Sequence, residues 1–196
     1  MAAVAEHLPL STNDRYNEFE ALLATWRELD APDGYRVEIS EGAIRMNALP
    51  LAGHSKIVAF INRVLVGCAP PGTAVFPLAG VLAVSVEKLY IPDLVVAAVD
   101  ALAEDSMLDP TDVLIAVEVT SPSNARVDRE EKPAAYAQAG VSRYLLVDRV
   151  GRNPTATLYA DPVDGEYQHV VKIPFGESLH LPAPFDVDLD TAQFPR

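Results

Sequence analysis

Three ionisable residues along this chain have the types needed for metal-dependent hydrolysis of a phosphodiester: Asp93, Glu118 and Lys132. Carboxylate oxygens bind hard divalent cations such as Mg²⁺, and a bound cation polarises a phosphoryl group and activates water. A nearby lysine positions that water or meets the negative charge that develops in the transition state. The set predicts a hydrolytic site if the fold brings the three side chains together.

Both carboxylates stand beside segments that predict core strands. Asp93 directly precedes the run 94–98, and Glu118 lies near the end of the run 113–119, both rich in β-branched residues. Strand alternation places Glu118 on one face with Leu114 and Ala116. It also places Glu118 at the carboxyl end of its strand, where ligands collect in open α/β sheets. Because a buried ionised carboxylate is costly unless it is paired or binds a metal, we expect a partner for each acid.

The predicted helix that ends before Gly140 places Lys132 on the face that packs against the sheet. Lys132, Tyr136 and Ala139 follow helical spacing and share one stripe. The same placement is compatible with a structural ion pair between Lys132 and Glu118, so both interpretations stay open. Pro133 requires the helix either to begin near Lys132 or to bend there.

The remaining pattern predicts one α/β domain with a mixed central sheet flanked by helices. The strand–helix–strand pattern over 113–148 predicts a right-handed crossover between parallel strands. Residues 1–33 are expected to form an N-terminal arm and helix, followed by the main domain over 34–196. The other predicted elements are a helix from the polar residues 11–14 to Leu29, a hairpin of 35–39 and 43–47, a helix from His54, strands at 73–77, 81–86 and 143–148, a hairpin of 156–160 and 167–173, and an irregular tail.

Composition narrows the classes of function. The chain has 196 residues, 49% of them hydrophobic, which suits one globular domain. Its net charge of −13 argues against a general nucleic-acid binder, which usually has a basic surface. The single Cys68 excludes an intrachain disulfide and favours a reducing, cytoplasmic location, and the sequence begins without a secretory signal. No apolar run reaches about 18 residues, so we expect no membrane partner.

Several motifs in order resemble the Uma-two family of restriction-endonuclease-like proteins, within the PD-(D/E)xK nuclease superfamily. The resemblance extends from about Tyr35 to about Leu189. The motifs that carry it are Glu38 followed by Gly42, Pro92-Asp93-Leu94-Val95-Val96, Val117-Glu118-Val119-Thr120-Ser121-Pro122-Ser123, Asp128-Arg129-Glu130-Glu131-Lys132, Tyr136-Ala137-Gln138-Ala139-Gly140-Val141 and Tyr144-Leu145-Leu146-Val147-Asp148.

This resemblance implies a restriction-endonuclease-like core and a role for each motif residue. Asp93, Glu118 and the carbonyl of Val119 would bind Mg²⁺ or Mn²⁺. Lys132 would be the catalytic lysine, because Thr120 occupies the usual lysine position of the superfamily. Glu38 would be a fourth acidic residue that assists the metal or the water.

His54 is a candidate for contact with substrate phosphate by the same resemblance, and Arg126 is a candidate because it lies beside the site in sequence. A histidine at a helix start also serves as a simple cap, and an arginine there is often only solvated, so both alternatives stay open.

The resemblance favours a metal-dependent DNA endonuclease. We also expect a homodimer, because cutting both strands of a duplex often uses two symmetric sites. The apolar stripe of Tyr16, Phe19, Leu23 and Trp26 is a candidate subunit contact, although it could also pack on its own domain. The alternatives are a catalytically inactive nuclease-fold module that binds or regulates, which the acidic charge favours, and an enzyme for smaller phosphoesters.

Overall fold

The computed structural model describes residues 12–48, 52–103 and 106–195. The predicted arm at residues 1–10 lies outside these ranges. Among the described helices, none combines the length and apolar character needed to span a membrane.

The described chain contains three α-helices and twelve strands, interrupted by short 3₁₀ turns and one π-helical turn. The helices are α1 (Thr12–Glu28), α2 (Ala52–Cys68) and α3 (Lys132–Ala139). The strands are β1 (Tyr35–Ser40), β2 (Ala43–Ala48), β3 (Thr73–Pro77), β4 (Val81–Ala83), β5 (Lys88–Tyr90), β6 (Leu94–Ala98), β7 (Val113–Val119), β8 (Arg143–Asp148), β9 (Thr155–Val163), β10 (Glu166–Pro174), β11 (Ser178–Leu181) and β12 (Val187–Asp190).

A six-stranded mixed sheet forms the centre of the fold, in the order β10-β9-β8-β7-β6-β3. Strands β7 and β8 are parallel, and α3 connects them, which confirms the predicted parallel pairing. The other neighbouring pairs in this sheet are antiparallel. The predicted mixed α/β class is therefore confirmed.

The two faces of this sheet carry separate apolar cores, because successive side chains of a strand point to opposite faces. On one face, Ile57, Ile61 and Leu65 of α2 pack with Val117 and its neighbours of the same parity. On the other face, the core contains Ala116 of β7 and three fully buried tyrosines, Tyr90, Tyr136 and Tyr144. Glu118 shares the parity of Ala116 and therefore lies on the tyrosine side, under α3.

A second sheet, ordered β2-β1-β5-β4, carries the N-terminal hairpin. Helix α1 covers it: Phe19 and Leu23 are each 2% exposed and pack with Ile39 and Leu89. The indole of Trp26 donates a 2.7 Å hydrogen bond to the Val37 carbonyl. Three residues of the α1 stripe, Phe19, Leu23 and Trp26, therefore pack on their own domain, whereas Tyr16 is 50% exposed.

The structure differs from the predicted elements in three places. The predicted strand 81–86 ends at Ala83, because residues 84–86 form a 3₁₀ turn that Glu87 closes with a positive φ of 57°. The chain then returns as β5, which the sequence pattern did not predict. The tail predicted as irregular contains β11 and β12, paired antiparallel, and their leucines join the core beside α2.

Candidate active site

Lys132 is buried among three carboxylates that come from three separate elements. Its ammonium lies 2.5 Å from Glu118 Oε1 on β7, 3.0 Å from Asp128 Oδ1 and 3.4 Å from Glu38 Oε1 on β1. Lys132 and Glu118 are 1% and 0% exposed. The ring of Tyr90 lies 5.1 Å from the same ammonium. The predicted approach of Lys132 to Glu118 therefore occurs in a buried cluster, where Coulomb interactions are strong.

A π-helical turn over Val127–Glu131 positions Lys132 at the start of α3. Pro133 therefore sits in the first turn of the α-helix, where its missing N–H costs little. The phenol of Tyr144 donates to the carbonyl of Asp128 at 3.0 Å and anchors the turn on β8. The conflict between Pro133 and an inward lysine is thus resolved by a helix that begins at Lys132.

Asp93 lies at the start of β6, where three groups donate to its carboxylate. Arg36 of β1 contacts Oδ1 at 2.9 Å, and His54 of α2 contacts Oδ2 at 2.9 Å. The backbone N–H of Val119 also donates to Oδ2 at 2.8 Å. Asp93, Arg36 and His54 are each 6% exposed or less. His54 therefore contacts an acid of the site, beyond any role in capping α2.

The two clusters meet at the end of the β6–β7 ladder. Antiparallel pairing of Leu94 with Val117 puts Asp93 opposite Glu118 when the register is extended by one residue. Glu38 also contributes to this end of the sheet, because it contacts Lys132. Its carboxylate accepts hydrogen bonds from the backbone N–H of Ile91 at 2.8 Å and from the side-chain amide of Asn47 at 2.9 Å. The four acids Glu38, Asp93, Glu118 and Asp128 thus lie around one end of the central sheet.

Burial and charge act in opposite directions on the acids of the two clusters. Burial raises the pKa of Glu118 well above its ordinary value, because the charge of Lys132 compensates only in part and the neighbouring acids add repulsion. Asp128 behaves in the same way, and its pKa is raised by burial. Burial also acts to raise the pKa of Asp93, but the hydrogen bond from His54 and the charge of Arg36 outweigh it, so that this pKa is lowered.

Lys132 keeps its charge for the corresponding reason. Burial acts to lower the pKa of its ammonium, but the charges of Asp128 and Glu118 outweigh burial and raise this pKa well above its ordinary value. If all three surrounding acids are ionised, one ammonium leaves two negative charges without compensation.

The donor chemistry of the cluster fits a divalent cation. Within the described residues, Glu118 Oε2 and Asp128 Oδ2 are buried and have no hydrogen-bond partner. Such oxygens are the ligands that Mg²⁺ and Mn²⁺ prefer. However, no three His, Cys, Asp or Glu side chains in residues 12–48, 52–103 and 106–195 are grouped in a way that could hold a metal ion. A shared cation at Asp93 and Glu118 therefore stays a prediction, as does the carbonyl of Val119 as a ligand.

One predicted contact residue lies away from the buried clusters. Arg126 is 58% exposed and pairs with Glu41 at 2.7 Å, so its predicted phosphate contact stays untested.

Two site residues, Arg36 and Asp128, were not predicted from the sequence. Strand alternation places Arg36 on the same face of β1 as Glu38, and Asp128 stands four residues before Lys132, so both carried a signal in their spacing.

Comparison with known proteins identifies the family. The model of the Uma2 family, described as "Putative restriction endonuclease", matches residues 17–192. The chain belongs to this family. The match begins inside α1, so it includes most of the helix that the sequence resemblance left outside. No curated protein is significantly similar to this Uma2 chain.

A solved structure shares the fold of this Uma2 protein. It is a putative nuclease belonging to DUF820 from Anabaena variabilis ATCC 29413, with a TM-score of 0.67 and 16% sequence identity. The similarity covers 88% of this chain and 96% of the other. At this identity the likeness shows the fold, and the sites must be argued from the residues themselves.

Replacing Lys132 with Met should destabilise this Uma2 protein at neutral pH by about 3–5 kcal/mol, because the buried acids that contact Lys132 lose their cation. Urea denaturation measures the change. Adding Glu118→Gln to this variant should recover part of the loss. Lys56→Met, at an exposed position of α2, is the control and should stay within about 0.5 kcal/mol. An unchanged free energy of unfolding in Lys132→Met would contradict the cluster.

The raised pKa of Glu118 also predicts how stability depends on pH. Above its ordinary value of 4.5, the native protein holds a proton that the unfolded chain has released. Stability should therefore fall as the pH rises, by at most about 1.4 kcal/mol per pH unit for this group. The Glu118→Gln variant lacks this contribution and should gain stability relative to wild type between pH 4.5 and the folded pKa. Urea denaturation at several pH values across that range measures this gain. A difference in the free energy of unfolding between variant and wild type that did not change with pH would contradict the prediction.

Proposed function

We propose that this Uma2 protein is an endonuclease that hydrolyses phosphodiester bonds in DNA and depends on Mg²⁺ or Mn²⁺. The observation that carries the proposal is the charged lysine buried against Glu118, at the sheet end where Asp93 also lies. An ammonium kept charged in a site of low polarity stabilises developing negative charge far better than one in water. The family match and the nuclease fold of the Anabaena relative support the reaction class.

In the proposed mechanism, Asp93 and Glu118 would hold the cation, which would supply polarisation of the phosphoryl group and a lower pKa for the attacking water. Lys132 directs its ammonium to the charge that grows on the phosphoryl oxygens. Glu38 is positioned to orient the water, because Ile91 and Asn47 fix its carboxylate. The water gives up a proton to solvent as its oxygen bonds to phosphorus, the bond from phosphorus to the leaving sugar oxygen breaks, and that oxygen takes a proton from solvent.

DNA as the substrate requires cations near the site in a chain with a net charge of −13. Lys56, Arg149 and Arg152 form no ion pair with any described residue. Arg149 follows β8 and its Nη2 packs against Gly53, where an added Cβ would lie only 2.7 Å away. Gly53 precedes His54, so this guanidinium lies near the Asp93 cluster. The Arg149 guanidinium supports a local surface that attracts phosphate despite the acidic total.

The alternative function is a nuclease-fold module that binds nucleic acid without cutting it. Two observations favour it: the closed ion cluster around Lys132 and the lack of a preformed metal-ligand group among the described side chains. The two functions differ in one measurable property, which is metal-dependent cleavage.

The decisive experiment incubates the purified protein with plasmid DNA, single-stranded DNA and RNA, with Mg²⁺, Mn²⁺ or EDTA. We expect metal-dependent cleavage of DNA that Glu118→Ala slows by at least about 100-fold, because the variant loses a group that holds the cation. Glu18→Gln, at an exposed position of α1, is the matched control and should cut at the wild-type rate. A folded wild-type protein that cuts none of these substrates would establish the non-cutting alternative. Cleavage by Glu118→Ala at the wild-type rate would show that the activity does not depend on this site.

A homodimer is part of the proposal, because cutting two strands of a duplex suits two symmetric sites. Strand β10 lies at the edge of the central sheet, with Val170 and Val171 55% and 50% exposed. Such an edge can pair with a second copy. Sedimentation velocity should give a dimer mass that Val170→Lys reduces to a monomer mass, whereas Val66→Lys on exposed α2 surface should not. A wild-type monomer at micromolar concentration would refute the dimer.

A further inference from the structure

A cavity of about 390 Å³ opens beside Asp93, on the face of the site away from Lys132. It is enclosed by α2, by the turn after β3 and by the start of β6. Its apolar walls include Val58, Leu78 and Leu94, and Asn62 adds an amide. Arg36, His54 and Asp93 form its polar end. A cavity of this size, mostly apolar with a few polar groups at one end, is typical of a small-ligand site.

The polar end contains buried nitrogen atoms that the described protein leaves without partners. His54 is 2% exposed and its Nδ1 has no hydrogen-bond partner among the described residues, although its Nε2 contacts Asp93. Arg36 is 6% exposed and bonds within the protein only through Nη1, to Asp93 and to the carbonyl of Ile91, while its buried Nε has no partner in the described chain. Unpartnered buried groups of this kind are rare in folded proteins and call for an explanation.

The mouth of the cavity contains a strained residue. Leu78 has a φ of 56° and is 47% exposed. A leucine in the left-handed region is uncommon and costs free energy, and this one gains little from burial. Because Leu78 lines the cavity, its side chain offers an apolar surface that a ligand can contact.

We infer that this cavity binds one nucleoside monophosphate unit of the substrate, next to the phosphodiester that is cut; the inference rests on the proposed function. A phosphate oxygen would accept from the Arg36 guanidinium, of which only Nη1 bonds within the described chain. The apolar walls suit a base or sugar, and Asn62 offers both a donor and an acceptor to a base edge. Because Asp93 also accepts from the N–H of Val119, the residue after Glu118, the polar end lies beside the proposed cleavage site.

Binding of a mononucleotide to the full-length protein in EDTA tests the inference without any cleavage. Calorimetry should show a deoxynucleoside monophosphate binding at least ten-fold tighter than either the nucleoside or inorganic phosphate. Equal affinity for inorganic phosphate would overturn the nucleoside part of the assignment. Absence of binding at millimolar concentration would overturn the whole inference.

Two substitutions locate the ligand. Ala59→Phe, at an exposed cavity position of α2, should weaken mononucleotide binding at least ten-fold with an unchanged melting temperature. The matched control Val66→Phe, on the same helix but outside the cavity, should bind as wild type does. Leu78→Gly removes an apolar wall while suiting the positive φ, so it should weaken binding without lowering the melting temperature. Wild-type affinity in both cavity variants would overturn the inference.

The KM for cleavage and the affinity for a mononucleotide together distinguish this inference from the proposed function. If the protein cuts DNA, Ala59→Phe should raise KM for an oligonucleotide about ten-fold with kcat unchanged. Cleavage with an unchanged KM would reject the cavity and keep the nuclease. Mononucleotide binding that depends on Ala59 in a protein that cuts nothing would keep the cavity and reject the nuclease.

Discussion

The burial of one ammonium among three carboxylates constrains the rest of this fold. Glu38, Glu118 and Asp128 come from the N-terminal hairpin, the central sheet and the turn before α3, and Lys132 contacts all of them. None of these charges could be buried alone at an acceptable cost. The two sheets and α3 must therefore keep their relative positions for the charges to stay paired.

The Asp93 cluster fastens a different set of elements by the same principle. Arg36 comes from the second sheet, His54 from α2, and the Val119 N–H from the centre of the main sheet. Helix α2 also covers one face of that sheet through its isoleucines. Packing thus sets where α2 lies, and the buried ion pairs set how it is aligned. The site and the architecture depend on the same side chains, which explains why so many titratable groups are buried in an acidic protein.

Local patterns were sufficient to predict most of the fold. Strand β7, the β7–α3–β8 crossover and the inward face of α3 all followed from periodicity, because the side chains that pack there repeat at the period of their element. Strand β5 and the β11–β12 pair did not follow from periodicity. These strands have only three or four residues each, which is too short to show a clear alternation, and distant segments of the chain decide their pairing. Arg36 and Asp128 were missed for a related reason. Their importance comes from burial next to particular charges, and spacing alone does not distinguish them from solvated residues.

Asp93 shares its carboxylate between two environments, and this has a thermodynamic consequence. The Asp93 carboxylate accepts from Arg36 and His54 on the cavity side. On its other side, Asp93 lies opposite Glu118. Any group that draws Arg36 or His54 toward itself leaves Asp93 with less positive charge nearby and more affinity for a cation. Linkage requires the reverse effect to be equally large. The carboxylate therefore couples the two sides of the sheet end, so that ligands on either side would bind cooperatively without any movement of the backbone.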